Sequence, residues 1–365
     1  MIGGPLASYL RKLLLTQTLG VLLALTALLQ LLEMLDVTTD ILKRHLGFAG
    51  VLHYAGLRTA SELVLAMPLA MLIGSLFTFY TLARNHELIA IRAAGIRLRS
   101  MLLAMLPVAL LLAAAQFVVA DRIVPVAEAH LSDWWQATEP PDDKNHNNDG
   151  DADTQLSWFR TDDGLVSVQQ ASKDGRHLQG VTIYRRDADG GFIGRLRASR
   201  LDWVDEHWTL TQMSSMNLAD GGVQRDQQPT ALWRSNLRPE DLKRLDTPSL
   251  PMSSATLSDV LTGARVGDRP LSYYRTALYH SYAAPFVLML MLLLALPSTQ
   301  AVQRGGEGGG SLLIALGAGL GLVLSSGLMA SLGQGGRVPP LAAATLPLLV
   351  FAALGLMWLR HYDRG

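Results

Sequence analysis

Three polar stretches of this sequence could carry chemistry, but each lacks a residue that its motif requires. The Gly-rich stretch 305–311 lacks the Gly-Lys-Ser/Thr ending of a phosphate-binding loop, and no Gly-Lys pair occurs in the chain. His86-Glu87 begins a zinc-protease motif, but Ala90 stands where the second histidine must be. Stretch 145–156 resembles a calcium loop but ends in leucine instead of glutamate. The sequence therefore predicts no ATP site of this type, no metal, no cofactor and no catalytic residue.

The stretch from Arg84 to Ile96 (RNHELIAIRAAGI) is the most informative one. Glu87 lies where the first turn of a helix would be, three apolar residues follow within the next four, and Gly95 stands at the expected end. This pattern predicts a short amphipathic helix along a membrane surface. It is typical either of an ordinary interfacial helix or of a coupling helix, which docks into a groove on a cytoplasmic ATPase through a few apolar and charged contacts.

Composition places these motifs in a membrane protein. Hydrophobic residues make up 49% of the chain and charged residues 17%, against about 25% charged in a typical soluble domain. The net charge is zero, which gives no argument for nucleic-acid binding, and the absence of cysteine excludes disulfides. Six apolar stretches are near the length that crosses a bilayer: 13–35, 63–83, 101–120, 277–296, 312–332 and 341–359.

The basic residues in the short connections predict the orientation. One side of the membrane has nine: Arg11, Lys12, Arg84, Arg92, Arg97, Arg99, Arg304, Arg360 and Arg364. The other side has four: Lys43, Arg44, Arg58 and Arg337. We therefore expect both termini in the cytoplasm and the long insert between spans three and four outside it.

The insert has the pattern of a β-domain. Short β-branched and aromatic runs at 165–168, 181–184, 196–204 and 208–213 are separated by Gly and Asp clusters, which favours a small sandwich or jelly roll. Two tryptophans flank a predicted hairpin tip at 203–208, and the polar segment 139–154 is predicted to be disordered. The predicted fold class is thus a six-helix α-helical membrane protein with an inserted all-β, jelly-roll-like domain. Its parts are 1–125 (spans one to three), 126–270 (the β-domain) and 271–365 (spans four to six).

Several segments resemble the LptF/LptG (YjgP/YjgQ) family of lipopolysaccharide export permeases, and the stretch 164–242 resembles LptG more than LptF. The segments that carry the resemblance are Met67-Pro68-Leu69-Ala70, His86-Glu87-Leu88, Ala93-Ala94-Gly95, Ile123-Val124-Pro125 and the run Trp233-Arg234-Ser235-Asn236-Leu237-Arg238-Pro239-Glu240-Asp241-Leu242. The resemblance extends over nearly the whole chain in the order of its elements. It implies a permease of the bacterial inner membrane that passes lipopolysaccharide to a periplasmic bridge, on its way to the outer membrane.

The resemblance also implies partners. These are a second, LptF-like permease subunit, a cytoplasmic LptB-like ATPase dimer, a single-span LptC-like protein and a periplasmic LptA-like bridge. ATP hydrolysis would belong to the ATPase, so the chain is expected to be a transport subunit and not an enzyme. Glu87 matches the glutamate of the family's coupling helix, so the contact with the ATPase is assigned to Glu87, Arg92 and Gly95.

The residues that would contact lipid phosphates follow less directly. The family often has a lysine near the outer end of span one, where this chain has Glu33, and basic residues after span three, where it has 132–135 (SDWW). The remaining candidates are cations at the predicted outer boundary: Lys43, Arg44, Arg58, Arg122 and Arg275. Such residues at span ends are also common as snorkelling anchors that contact no substrate.

Span five carries small residues four apart, at Gly317, Gly321 and Ser325. Such a stripe lets another helix approach closely, either in static packing or in a seam that can open. In the resembling family, spans one and five of the two subunits form lateral gates for the lipid.

Two other functions are open. A non-transporting scaffold would relay the movements of an ATPase to a periplasmic partner. A secondary transporter would need ionisable groups inside the membrane, and the stretches predicted for spans two and five contain none.

Overall fold

The computed structural model describes residues 4–138, 157–161, 164–172, 174–186, 191–204, 206–219, 222–233, 235–239, 241–242, 250–300 and 309–364. The chain forms two compact units. One comprises Met1–Trp134 with Arg275–Gly365, and the other comprises Trp135–Tyr274. The predicted boundaries near 125 and 270 stay predictions, and the predicted disordered segment 139–154 lies outside the described residues.

The described residues contain six helices that are long and apolar enough to cross a membrane, as predicted. They are Gly4–Lys43, Gly47–Arg84, Leu98–Ala137, Leu271–Thr299, Gly310–Gln334 and Pro340–His361. The continuous α-helices are α1 (Gly4–Lys43), α2 (Gly47–Arg84), α3 (Glu87–Ala93), α4 (Leu98–Val118), α5 (Val124–Ala137), α6 (Ser254–Leu261), α7 (Leu271–Leu294), α8 (Gly309–Gln334) and α9 (Pro340–Arg364). A 40-residue helix such as α1 is about 60 Å long, so α1 and α2 are twice the length that about 30 Å of hydrocarbon requires.

Small residues bring α1 and α2 together. Apolar side chains gain little from leaving lipid for another helix, so close backbone approach has to supply the attraction. A Cβ atom on Gly74 would lie 2.6 Å from the Cα of Thr18, which shows how near the two backbones come. The contact row on α2 has small buried residues four apart: Ala66, Ala70, Gly74 and Thr78. The facing row on α1 is buried at the same spacing: Leu10, Leu14, Thr18, Leu22 and Thr26.

The third span is longer than its apolar stretch predicts. After α4 the chain makes a π-helical turn, Val119–Ile123, and continues as α5 to Ala137. Val124, Glu128 and Leu131 of α5 are buried at helical spacing. Glu128 lies well past residue 120, the predicted end of span three. The continued helix buries this side chain within the helical unit.

In the second half of the chain, α7 is followed by a 3₁₀ turn, Leu296–Gln300, in which residues 296–299 are buried, and then by α8 and α9. Glycines of α8 mark its closest contacts. A Cβ on Gly319 would meet the Leu72 side chain of α2 at 2.2 Å, and one on Gly333 would meet Ala343 of α9 at 2.6 Å and Thr276 of α7 at 2.9 Å.

In its described residues the second unit has an antiparallel sheet of seven strands, which confirms the inserted β-domain. The strands are β1 (Ser157–Thr161), β2 (Gly164–Val168), β3 (Gln170–Ala171), β4 (His177–Arg186), β5 (Phe192–Val204), β6 (His207–Ala219) and β7 (Gly222–Trp233). The order β1-β2-β4-β5-β6-β7 follows the chain, with β3 paired to β4. All four predicted strand segments lie within these strands, whereas the jelly-roll connectivity stays a prediction.

The predicted hairpin with Trp203 and Trp208 is confirmed, and Trp208 lies in the hydrophobic core of the sheet. Trp203 pairs with Trp208 across β5 and β6, and their rings meet edge to face with centroids 5.1 Å apart. Trp208 is fully buried and its indole N–H donates to the Leu237 carbonyl at 2.9 Å. Trp233, Leu237 and Leu242 lie in the same core. These three residues therefore have a structural role, and the Leu237 carbonyl satisfies the indole of Trp208.

Candidate functional site

Helix α3 has the amphipathic form that the sequence predicts. It begins at Glu87, after His86 in a left-handed conformation (φ 59°), and ends at Ala93. Leu88 and Ile91 are buried, with 1% and 8% of their surfaces exposed, whereas Ile89 is 50% exposed. One face of the helix thus packs on its own chain and the other presents apolar surface outward.

Glu87 is half-buried at the start of this helix. Its Oε1 accepts a hydrogen bond from the Asn85 side-chain amide at 3.3 Å, and the Tyr9 hydroxyl of α1 lies near the Glu87 carboxylate. A carboxylate in the first turn of a helix is favoured by the backbone N–H groups that point toward it. These contacts fix the Glu87 side chain beside the exposed face of α3.

Gly95 ends the helix in a way that only a residue with left-handed freedom allows. Its φ is +78°, its N–H donates to the Arg92 carbonyl at 2.9 Å, and the Ile96 N–H donates to the Ile91 carbonyl at 3.3 Å. These two bonds form a Schellman motif, in which glycine is the usual residue. Gly95 therefore has a structural role, and the predicted contacts of Glu87, Arg92 and Gly95 with an ATPase stay predictions.

Four of the five candidate cations lie at or near helix ends. Lys43 is the last residue of α1 and pairs with Asp40 at 3.1 Å, with both side chains mostly exposed. Arg44 follows it and is half-buried, while Arg275 is exposed in the first turns of α7. Arg122 lies in the π-helical turn with 81% of its side chain exposed. These placements suit either lipid contact or anchoring, and the assignment stays a prediction.

Arg58 is placed differently, because carboxylates of its own chain surround it. Its Nε donates to Glu33 of α1 at 3.1 Å and its Nη1 donates to Glu128 of α5 at 2.7 Å. The Tyr54 hydroxyl donates to Glu33 at 2.9 Å, and the Ser61 hydroxyl donates to Glu128. We call Glu33, Tyr54, Arg58, Ser61 and Glu128 the Arg58 cluster. A lipid phosphate would have to compete with two carboxylates for this guanidinium.

Glu62 is a buried acid that the sequence analysis missed. The predicted second span began at residue 63, but α2 begins at Gly47 and includes both Arg58 and Glu62. Glu62 is only 5% exposed, and neither of its carboxylate oxygens has a hydrogen-bond partner in the part of the chain described. Its nearby charges are Glu33 and Arg58. Helix α2 therefore extends beyond the apolar stretch on which the argument against a secondary transporter rested, and that argument stays a prediction.

The small residues four apart on α8, Gly317, Gly321 and Ser325, have few close neighbours among the described residues. A Cβ added to Gly317 would meet nothing within 4 Å, and one on Gly321 would just touch the Phe351 ring at 3.3 Å. Ser325 uses its hydroxyl within α8, donating to the Leu322 carbonyl at 3.0 Å. The tightest contacts of α8 within the chain are made by other glycines, so the role of the stripe at a gate stays a prediction.

The β unit contains an ionic group on its surface. His177 Nδ1 lies 2.6 Å from Asp202 Oδ1, and Arg200 Nε donates to the same oxygen at 2.8 Å. Partial burial acts to raise the pKa of the Asp202 carboxyl, but these hydrogen bonds outweigh it and hold that pKa below its usual range. Within the described residues no group of three His, Cys, Asp or Glu side chains is placed to hold a metal ion.

Comparison with known proteins identifies the family. Residues 8–361 match the family model described as lipopolysaccharide export system permease LptF/LptG. The chain belongs to the LptF/LptG family. It is 20% identical, over 359 residues and 98% of both chains, to the lipopolysaccharide export system permease protein LptG of Escherichia coli strain K12. The LptG protein of Escherichia coli O6:H1 strain CFT073 matches to the same extent.

Membership in the LptF/LptG family agrees with the architecture. Family members are permeases of a lipopolysaccharide export system, so this chain is a transport subunit of a membrane complex. Its six apolar helices make it a multi-pass protein, as such a permease of the inner membrane requires. The match includes both the helical unit and the inserted sheet.

Proposed function

We propose that the chain is the LptG subunit of an ABC transporter that extracts lipopolysaccharide from the inner membrane and passes it to a periplasmic bridge. The observation that carries this proposal is α3, an amphipathic helix with one face buried, an exposed Ile89 and a fixed Glu87 at its start. The likeness to two LptG proteins over 98% of the chain favours LptG over LptF.

The proposed complex follows from that role. An LptF-like permease pairs with this chain, and an LptB-like ATPase dimer binds the exposed face of α3. An LptC-like single-span protein and an LptA-like bridge continue the path beyond the β unit. Binding of ATP by the partner draws the Glu87 helices of the two permeases together and narrows the cavity between them.

The lipid enters sideways in this mechanism. Helices α1 and α8 line the seams between the two subunits, since α1 has many exposed leucines and α8 has the open glycine at 317. The acyl chains contact these apolar surfaces. The phosphates meet cations at the far end of the helices, where Lys43 ends α1 and Arg44 follows it.

In the proposed orientation both termini lie in the cytoplasm and the sheet lies in the periplasm. Because the chain has no cysteine, single substitutions can test this directly. Gln224→Cys in exposed β7 should react with a membrane-impermeant maleimide on intact spheroplasts, whereas Ala94→Cys beside α3 should react only after lysis. The reverse pattern would invert the topology and exclude a cytoplasmic partner for Glu87.

The decisive experiment is purification of the tagged full chain in mild detergent, followed by an ATPase assay. Recovery of a second six-span permease, an ATPase and bound lipopolysaccharide, with ATP-dependent release of the lipid to a periplasmic acceptor, is the expected result. An ATPase complex that never moves lipid would make the chain a scaffold instead. Recovery of the chain without any ATPase would overturn the proposed role of α3.

A further inference from the structure

The β unit has a cleft beside the hairpin that joins β5 to β6. The volume of this cleft is about 580 Å³, within the range of about 300–1,000 Å³ that small-ligand sites occupy. The residues of its lining that carry the argument are Asp174, Arg176, Trp203, Glu206, Asn236 and Arg238. All of them belong to the second compact unit, so the cleft lies within one unit of the chain.

The turn before β4 forms one wall of the cleft. The Ser172 hydroxyl donates to Asp174 Oδ1, and the same oxygen accepts a hydrogen bond from the Arg176 backbone N–H at 3.1 Å. A Cβ atom on Gly175 would lie 2.4 Å from the Pro239 carbonyl oxygen. This turn is therefore packed directly against the segment that follows β7.

The segment after β7 forms a second wall and has hydrogen bonds of its own. The Leu237 carbonyl accepts from the buried indole of Trp208 at 2.9 Å. The Asn236 side-chain amide donates to the Gly263 carbonyl at 2.8 Å. Both walls are thus formed by contacts within the chain, which spares a ligand the free-energy cost of ordering them.

The described side chains of the cleft favour a ligand without net charge. Asp174 and Glu206 can only accept hydrogen bonds, and Arg176 and Arg238 can only donate them. A phosphate would meet two carboxylates in this lining, and an ammonium would meet two guanidinium groups. A hydroxyl group both donates and accepts, so a neutral ligand with several hydroxyl groups can pair with all four charged side chains.

A sugar ring combines these hydroxyl groups with an apolar face. The hydroxyls lie around the edge of a pyranose ring, and one face of the ring presents C–H groups that pack on an aromatic side chain. Trp203 lines the cleft beside the charged groups and is half-buried, as suits an aromatic residue between apolar and wet surroundings. The concave form favours such a small group over a protein partner, which typically covers about 800 Å² of a broad surface.

The cleft lies at the end of the β unit from which the chain enters the membrane. Asn236 also lines a second, smaller cavity of about 270 Å³ together with Leu271, the first residue of α7. Helix α7 begins the fourth of the helices that are long and apolar enough to cross a membrane. A sugar attached to a membrane lipid is the kind of ligand that reaches this end of the unit.

We propose that this cleft binds a sugar of the exported lipopolysaccharide. Trp203 packs against one face of the sugar ring, Glu206 accepts hydrogen bonds from its hydroxyls, and Arg238 donates hydrogen bonds to them. The choice of lipopolysaccharide as the source of the sugar rests on the proposed function, whereas the sugar site itself does not.

The first arm of the test measures binding of a soluble probe by the full chain in lipid nanodiscs. The probe is the oligosaccharide that mild acid releases from lipopolysaccharide, and a titration followed by saturation-transfer NMR gives its Kd. Wild type should bind the probe saturably. Arg238→Gln and Glu206→Gln should each weaken binding about tenfold, as expected for loss of one charge-assisted hydrogen bond.

These two positions leave the fold intact, because both side chains are exposed and neither lies in the core of the sheet. The matched control is Arg225→Gln. Arg225 is also exposed, but it lies near the start of β7, whereas Trp233 at the other end of that strand precedes the cleft. This variant should bind the probe as wild type does.

The second arm tests the source of the sugar in cells that contain the whole complex. A photoreactive amino acid replaces Ala264, which is exposed and lines the cleft, and in the control it replaces Gln224, which is exposed in β7. Irradiation should give an adduct with lipopolysaccharide from position 264 and much less from position 224. An adduct with cell-wall glycan alone would overturn lipopolysaccharide as the ligand.

The site itself is overturned if wild type does not bind the probe, or if Arg238→Gln and Glu206→Gln bind it as tightly as Arg225→Gln does. That result leaves the proposed function standing if the complex still exports lipid. A chain that binds the probe through Arg238 and Glu206, in a complex that exports nothing, removes the function and keeps the site.

Discussion

Helix α3 and the Arg58 cluster show two different uses of charge in one helical unit. The described contacts of Glu87 on α3 leave a helix face exposed, with Ile89 on its outer side. The contacts of Arg58 instead connect residues 25 and 70 positions away, on α1 and α5. The first arrangement leaves a surface that a partner can complete, whereas the second holds three helices of the chain to each other. Substitutions at α3 should therefore impair coupling, and substitutions in the Arg58 cluster should impair stability.

Glu87→Ala should have the largest effect on function. Loss of a central charged contact at a docking surface weakens binding by about thirtyfold or more, so the partner ATPase should no longer co-purify and lipid export should stop. The chain itself should stay folded, because Glu87 is half-buried and its described hydrogen bond is with the neighbouring Asn85. Co-purification and export assays at matched expression measure the effect.

The control for this prediction is Glu87→Gln. It can keep the bond from Asn85 but has no charge, and it should fail in coupling nearly as completely as alanine does. Normal export by Glu87→Ala would remove the assignment of α3 as the coupling helix.

Arg58→Met should have the largest effect on stability. It leaves Glu33 and Glu128 without their cation. Breaking a fully buried ion pair costs about 3–5 kcal/mol, but 33% of the Arg58 side chain is exposed, so we expect a loss of about 1.5–3 kcal/mol. Denaturation of the full chain in detergent should show this loss. The matched control, Lys43→Met, breaks the exposed pair with Asp40 and should cost at most about 1 kcal/mol.

A triple variant, which also removes the charges of Glu33 and Glu128, tests whether unpaired charge causes the loss of stability. Arg58→Met combined with Glu33→Gln and Glu128→Gln should recover most of the lost stability, because the two carboxylates that Arg58 pairs with no longer carry a charge. If Arg58→Met costs no more than Lys43→Met, the cluster does not hold the helices together and the contrast with α3 fails.

Gly95→Ala should have a smaller, local effect. The left-handed φ of +78° costs a residue with a Cβ about 1–2 kcal/mol, although the space around Gly95 is open. Faster hydrogen exchange in α3 of the full chain should report the fraying of this helix end. Gly95→Asn, which tolerates the left-handed region better, should retain more protection than alanine does.

Acid should have the smallest effect, on the surface group of the β unit. The pKa of Asp202 lies below its unfolded value of about 3.9, so its contribution is fully present above that pH and is lost as the pH falls through the lower, folded value. Protection of β4 and β5 against hydrogen exchange in the full chain should therefore decline in acid. Asp202→Asn should remove this pH dependence at a cost of about 1 kcal/mol or less. An unchanged acid response in the variant would assign the dependence to another group.

Local patterns in the sequence predicted much of the fold. The six spans, the four strand segments, the hairpin with Trp203 and Trp208 and the amphipathic α3 were all predicted, because each depends on residues within about twenty positions of each other. The Gly95 stop was predicted for the same reason, since the Schellman bonds join neighbours. Membership in the LptF/LptG family also followed from short motifs in the sequence.

What the sequence by itself determined is which segments cross the membrane and which form the sheet, because hydrophobic length and alternation act locally. Only the tertiary structure decided that Arg58 is bound by Glu33 and Glu128 and that the buried Glu62 has no hydrogen-bond partner among the described residues. The predicted spans end where the apolar composition ends, whereas α2 and α5 are helical through the polar residues beyond those ends. Whether a charge at a helix end meets lipid, water or another charge depends on helices distant in sequence, and no local pattern carries that information.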